Sequence, residues 1–217
     1  MKTTRFEKSR MVSGLYVIID PEVLTDRNPL TVTHQVLHGG VTAIQLRDKT
    51  SDQSTQIHMA RKMRKLCETH DSVLIMNDSP YVAVEAQAHG LHLGQNDCSI
   101  ATARSILNDN QFIGTSNATL EEAISSEKQG SDYIAVGAVF STHSKTATRS
   151  VSLSLLSEIK KTVNVPVVAI GGISHENVHL LKASRIDGIC VIGAVCHADN
   201  PKESSRDLLK AFQVYRD

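Results

Sequence analysis

Along this chain, short runs of uninterrupted apolar residues alternate with longer stretches in which apolar residues recur every three or four positions. The apolar runs are "GLYVIID" (14–20), "VTAIQLR" (41–47), "SVLIMN" (72–77), "HGLHL" (89–93), "FIGTS" (112–116), "DYIAVG" (132–137), "VPVVAI" (165–170) and "GICVIG" (188–193). Most are continuously apolar, as expected of strands covered on both faces. Between them, Gln53–His70, Thr119–Gln129, Ser152–Thr162, His175–Ala183 and Pro201–Phe212 have helical periodicity. Ser99, Thr119 and Ser174 stand where an N-cap is wanted. Gly39–Gly40, Gly90 and Gly130 stand where a left-handed stop would end a helix before the next strand. Strands separated by helical connections pair in parallel through right-handed crossovers. Eight such units in 217 residues predict an α/β fold, a closed (β/α)8 TIM barrel, over an open doubly wound sheet. No linker or low-complexity segment interrupts the pattern, so residues 14–217 read as one barrel domain behind a flexible N-terminal arm of residues 1–13.

Charge narrows the partners. With 23 basic and 23 acidic side chains the chain is balanced, which argues against nucleic acid or an anionic membrane as the main partner. Aromatic content of 4% and no Trp make a base-stacking platform a poor fit. The four cysteines, Cys67, Cys98, Cys190 and Cys196, form no CxxC, so the expectation is reduced thiols in a cytoplasmic protein. "MKTTRFEKSRMVS" has no apolar h-region, and no segment approaches a membrane span. Small-molecule partners are expected, and self-association stays open.

A barrel enzyme carries its chemistry on the loops after the strands, and the polar residues fall there. Gln45, Arg47 and Lys49 alternate at the end of the second apolar run, which places them on one face. Arg as a planar fork and Lys as a point charge suit a polyanion such as diphosphate. Asp78 and Asp97 each follow an Asn just past the third and fourth strands. Two carboxylates from neighbouring strand ends suit Mg2+ with substrate phosphate and water, although loop-start Asp also serves as a helix cap. "IGGI" (170–173) and "VIGA" (191–194) put glycines where a barrel cradles phosphate. "HENVH" (175–179) satisfies the HExxH zinc pattern but lacks a third ligand in the "LLKASR" that follows.

Taken together, "QLRDK", "ND", "HLGQND", "GTS", "THSK" and "IGGI", in that order from Gly14 to Phe212, resemble the thiamine phosphate synthase family. The resemblance implies a barrel transferase. It would move the hydroxymethylpyrimidine group from its diphosphate to the nitrogen of hydroxyethylthiazole phosphate, through a dissociative, Mg2+-assisted step. Arg47, Lys49, Asn77 and Lys145 would hold the diphosphate with help from Ser116, and Arg47, Lys49, Ser116 and Lys145 form the implied catalytic set. Asp78 and Asp97 would bind Mg2+. Gln45 would address the pyrimidine, and Tyr16 joins the substrate-binding set. Thr142 and Ser144, with backbone at Gly172, Ile192 and Gly193, would hold the thiazole phosphate. Ser144 stands where the family usually has a second Thr, Gly193 where a Ser is common, Ser79 where an Arg often follows N-D, and Ile19 where a Thr is frequent.

Two other readings share the fold. A thiazole tautomerase relative needs a general acid–base His in the sixth strand motif, where this chain has Ala138, and no metal. A non-catalytic phosphate-binding barrel would keep "IGGI" without the cations and carboxylates that are present here.

Overall fold

The computed structural model describes residues 4–142 and 149–214. Among them, eight strands close into a barrel in chain order: β1 (Gly14–Ile19), β2 (Ala43–Leu46), β3 (Val73–Asn77), β4 (Gly90–Leu93), β5 (Phe112–Asn117), β6 (Tyr133–Val136), β7 (Val167–Ile170) and β8 (Gly188–Val191). Each neighbouring pair is parallel, and β1 closes the ring on β8 with Tyr16 beside Cys190. Every predicted apolar run becomes a strand. Around them lie α1 (Arg5–Ser9), α2 (Pro21–Leu24), α3 (Pro29–His38), α4 (Gln53–Glu68), α5 (Pro80–Glu85), α6 (Ile100–Ile106), α7 (Leu120–Lys128), α8 (Leu153–Thr162), α9 (Gly193–Cys196) and α10 (Pro201–Val214). Among the described residues, no helix is long and apolar enough to cross a membrane.

Local chemistry explains most boundaries. Ser99 and Thr119 accept backbone N–H groups at the starts of α6 and α7, as expected. Ser174 does not cap an α-helix. Its hydroxyl accepts the Glu176 amide, Asn177 Nδ2 donates to the Gly172 carbonyl, and a 3-10 helix over Val178–Ser184 replaces the helix expected at His175–Ala183. Side chains bonded locally in this way compete with an α-helical start. Gly40 and Gly130 take left-handed conformations with φ of +94° and +96°. Gly90 does not: it lies in β4, directly under the Phe112 ring.

The barrel interior alternates small and large residues. A Cβ on Gly90 would overlap the Phe112 ring, and one on Gly114 would overlap the Tyr133 ring. These inward positions fill the lumen, which is a packed core and not a channel.

The segment expected as a loose arm is folded over Thr4–Val12. Thr4 and Glu7 form a capping box at α1, a 3-10 turn covers Arg10–Val12, and Val12 is fully buried. Arg5 Nε reaches Asp132 Oδ1 at 3.0 Å, and Arg104 pairs with the same carboxylate, tying α1 beneath β5 and β6. This helix covers part of the floor, the end of the barrel opposite the chemistry-bearing loops.

Candidate active site

Gln45 points into the barrel from β2, where its Nε2 donates to the Tyr16 hydroxyl. The Tyr16 and Tyr133 hydroxyls lie 3.2 Å apart, Tyr133 bonds His92 Nδ1 at 2.7 Å, and His92 Nε2 bonds the Ser116 hydroxyl at 2.8 Å. A hydrogen-bonded file therefore crosses the top of the lumen from β2 to β5. Burial raises both tyrosine hydroxyls above their ordinary range, so both stay protonated. His92 and Tyr133 escaped the sequence reading because a single polar group in an apolar strand looks like an ordinary core residue. The signal was their even spacing with inward positions, His92 with Gly90 and Tyr133 with Ala135.

Above this file, a cavity of about 260 Å3 gathers Arg47, Lys49, Asn77, Asp78, Asp97 and Ser116. Arg47 Nη1 is held by Asp20 Oδ2, a carboxylate with 1% of its side chain exposed. Asp20 was not among the expected residues; it ends the first apolar run and caps α2 at the Glu22 amide. Lys49 pairs with Asp78, and Asn77 Nδ2 donates to the other Asp78 oxygen.

Asp78 has φ of +61°, an uncommon left-handed turn for a non-glycine residue. Ser79, not Asp78, caps α5, and Ser99, not Asp97, caps α6. The structure thus removes the capping explanation for both carboxylates. Asp97 Oδ2 accepts the Gly94 amide at 2.6 Å. Desolvation and then the Asp78 carboxyl beside it hold Asp97 above the usual carboxylate value, while the Gly94 amide and Lys49 act the other way. Two oxygen-donor carboxylates on one wall, one of them reluctant to ionise beside the other, fit a hard divalent cation that also takes phosphate and water. Among the described residues, no three His, Cys, Asp or Glu side chains surround one point. The metal fit therefore rests on this pair.

A second cavity of about 930 Å3 adjoins the first and includes Thr142, Gly172, Ile192 and Gly193. Gly94, Gln95, Asn96 and Ser116 line both cavities and form a common wall. Gly172 has φ of +62° and packs directly on the Ser141 carbonyl, so only glycine fits there. Gln95 steadies the wall by donating to the Ser116 carbonyl at 2.6 Å. Arg149, also missed in the sequence, lines this cavity and is gripped by both Glu122 oxygens at 2.5 and 2.9 Å. That pair holds Glu122 below its ordinary value and Arg149 above its own. Ser144 and Lys145 lie outside the described residues.

The rim thus brings together Tyr16, Gln45, Arg47, Lys49, Asn77, Asp78, Asp97, Ser116, Thr142, Gly172, Ile192 and Gly193 in one file and two contiguous cavities. A further cavity of about 770 Å3 lies at the floor, lined by Lys8, Arg64, Glu68 and His89. Arg64 is paired with Glu68 there, and the lining includes Val73, the first residue of β3.

Comparison with known proteins bears on the family and the fold. The family profile described as thiamine monophosphate synthase matches residues 15–195. The thiamine-phosphate synthase of Methanobrevibacter smithii is 40% identical over 185 residues, 85% of this chain and 88% of that one. That of Clostridium tetani is 35% identical, covering 91% and 95%. Among solved structures, a thiamine phosphate pyrophosphorylase from Pyrococcus furiosus superposes with a TM-score of 0.88 at 34% identity, covering 96% of this chain and 99% of that one.

Proposed function

The chain belongs to the thiamine monophosphate synthase family and is a transferase of the thiamine-phosphate synthase kind; from that premise we propose that its two rim cavities hold the two substrates. The pyrimidinylmethyl diphosphate takes the smaller one and the thiazole phosphate the larger. The observation that carries this reading is the common wall, which sets a cavity of cations and carboxylates against one lined by glycines.

Arg47 and Lys49 bind the diphosphate, with Asn77 and Ser116 donating to its oxygens. Lys49 exchanges Asp78 for the diphosphate, which leaves the Asp78 carboxylate available beside Asp97. These two residues would hold Mg2+, which supplies positive charge against the departing diphosphate. Gln45, steadied by Tyr16, orients the pyrimidine, and His92 fixes the direction of the Ser116 hydroxyl. The bond between the methylene carbon and the diphosphate oxygen breaks first, and its electron pair leaves with the diphosphate. The resulting cation is stabilised by the aminopyrimidine, and the thiazole nitrogen closes the new C–N bond with its lone pair. Positioning and charge stabilisation account for the catalysis, with no covalent intermediate on the protein. Thr142 and the backbone at Gly172, Ile192 and Gly193 hold the thiazole phosphate. Ser144 and Lys145 are assigned, by resemblance, to the thiazole phosphate and the diphosphate.

The test is to mix both substrates with the purified protein and Mg2+ and to assay thiamine phosphate and released diphosphate. Formation of both supports the reading, and their absence overturns it. Undiminished formation in excess EDTA would remove the metal assignment alone.

A further inference from the structure

The hydrogen-bonded file across the top of the lumen has a direction as well as a path. Gln45 Nε2 donates to the Tyr16 oxygen, and an amide NH2 cannot accept in return. Tyr16 keeps one proton of its own, and the Tyr133 oxygen lies within its reach at 3.2 Å. Tyr133, having accepted there, gives its proton to His92 Nδ1 at 2.7 Å. An imidazole with a lone pair at Nδ1 carries its proton on Nε2, so His92 donates to Ser116 Oγ at 2.8 Å. The Ser116 proton is then turned away from His92. Ser116 lines the cavity that holds Arg47 and Lys49, so its O–H joins the cations on that wall.

Tyr133 stands in the middle of the file and lines neither rim cavity. Its ring is fully buried and lies edge-on to Tyr16 and Phe112, with centroids 6.2 and 6.0 Å away. It also fills the space that Gly114 leaves open. A ring held on three sides has little freedom beyond the direction of its hydroxyl proton, and burial keeps that proton bound. With the opposite polarity, Ser116 would donate to His92 and turn a hydroxyl lone pair towards the cavity. An anion there would meet repulsion in place of a donor.

We infer that Tyr133 is a positioning residue for the transferase: acting through His92, it holds the Ser116 hydroxyl as a donor to the diphosphate. The inference rests on the substrate placement proposed above and adds to it a residue that touches neither substrate. The polarity originates at Gln45, whose Nε2 faces Tyr16 and whose Oε1 is left to accept from the pyrimidine. One run of side chains thus joins the two ends of a single substrate, its aminopyrimidine at β2 and its diphosphate at β5. Donors fixed before the charge develops need no reorientation as the diphosphate departs.

The test begins with the 15N-labelled full chain free of substrates, with the His92 ring signals in its NMR spectrum identified by their loss in His92→Asn. The Nε2–H tautomer is expected; a proton on Nδ1 would overturn the inference. Tyr133→Phe removes one oxygen and should shift His92 towards the other tautomer while circular dichroism stays unchanged. Its kcat/KM for the diphosphate substrate should fall roughly three- to tenfold, with KM for the thiazole phosphate held. In a Ser116→Ala background the same substitution should cost almost nothing further, because the group it acts through is gone. An undiminished cost there would make Tyr133 a packing residue only and would overturn the inference. The wrong tautomer in an active parent strikes this inference alone, whereas a parent that makes no thiamine phosphate strikes the functional reading beneath it.

Discussion

Asp97 is held above the usual carboxylate value by partial burial and by the Asp78 carboxyl beside it. The folded chain therefore binds this proton more tightly than the unfolded chain does. Stability falls as pH rises from about 3.8 through the raised folded value, and the deficit persists at neutral pH. Asp97→Asn should accordingly match or exceed the parent in Tm at neutral pH in EDTA, while losing Mg2+-dependent turnover; calorimetry and a rate assay on one preparation check both. Arg47 gives a complementary prediction. Charge-assisted hydrogen bonds are worth about 1.5–3 kcal/mol, so Arg47→Ala should raise KM for the diphosphate substrate by roughly ten- to a hundredfold. KM for the thiazole phosphate should change far less, and equal losses would count against the division of the two cavities. At this scale the sequence was most legible where charge interrupted an apolar strand, as at Arg47 and Lys49. It was least legible where a polar residue faced inward and found its partner on a distant strand. His92 and Tyr133 are 41 positions apart, and no local pattern announces that they touch. Asp20 was hidden for a similar reason: its partner Arg47 is 27 residues away.

The strands were readable as elements because burial on both faces leaves a continuous apolar signature. The segment 175–183 was not, because its helical spacing says nothing of the Ser174 and Asn177 side chains that bond the nearby backbone. The expected flexible arm instead carries a short helix, although Thr4 and Glu7 stand at capping-box spacing and Val12 is apolar. What holds it is again distant in sequence, the Arg5–Asp132 pair. The strand glycines carry a prediction of their own. Gly114 in β5 leaves room for the Tyr133 ring of β6, and a methyl group there has nowhere to go without moving that ring. Gly114→Ala should destabilise the barrel by about 1–3 kcal/mol, read as a lower denaturation midpoint. Activity should fall as well, since Tyr133 carries the hydrogen bond to His92.

Across the whole molecule, the two ends of the barrel have different duties. Loops at the rim carry strain and charge, whereas the floor is closed by α1 and by hydrogen bonds such as that from the Leu74 amide to His89 Nδ1. Burial, with help from Lys8 and Arg64, pushes His89 down to about 4 from 6.5. The unfolded chain thus takes up this proton first on acidification. Stability tied to neutral His89 is complete above pH 6.5 and is lost progressively towards pH 4. Its full size is about 3 kcal/mol by the same linkage. His89→Gln keeps an acceptor and removes the titration, so its stability should fall less steeply across that range in urea titrations at stepped pH. The wall formed by Gly94, Gln95, Asn96 and Ser116 has a kinetic consequence. With the two substrates placed as proposed, the bond-forming atoms face each other across that shared edge, and neither reactant hands its group to the protein and departs. Initial rates measured against both concentrations should give double-reciprocal lines that intersect; parallel lines would mean that the reactants visit the site in turn.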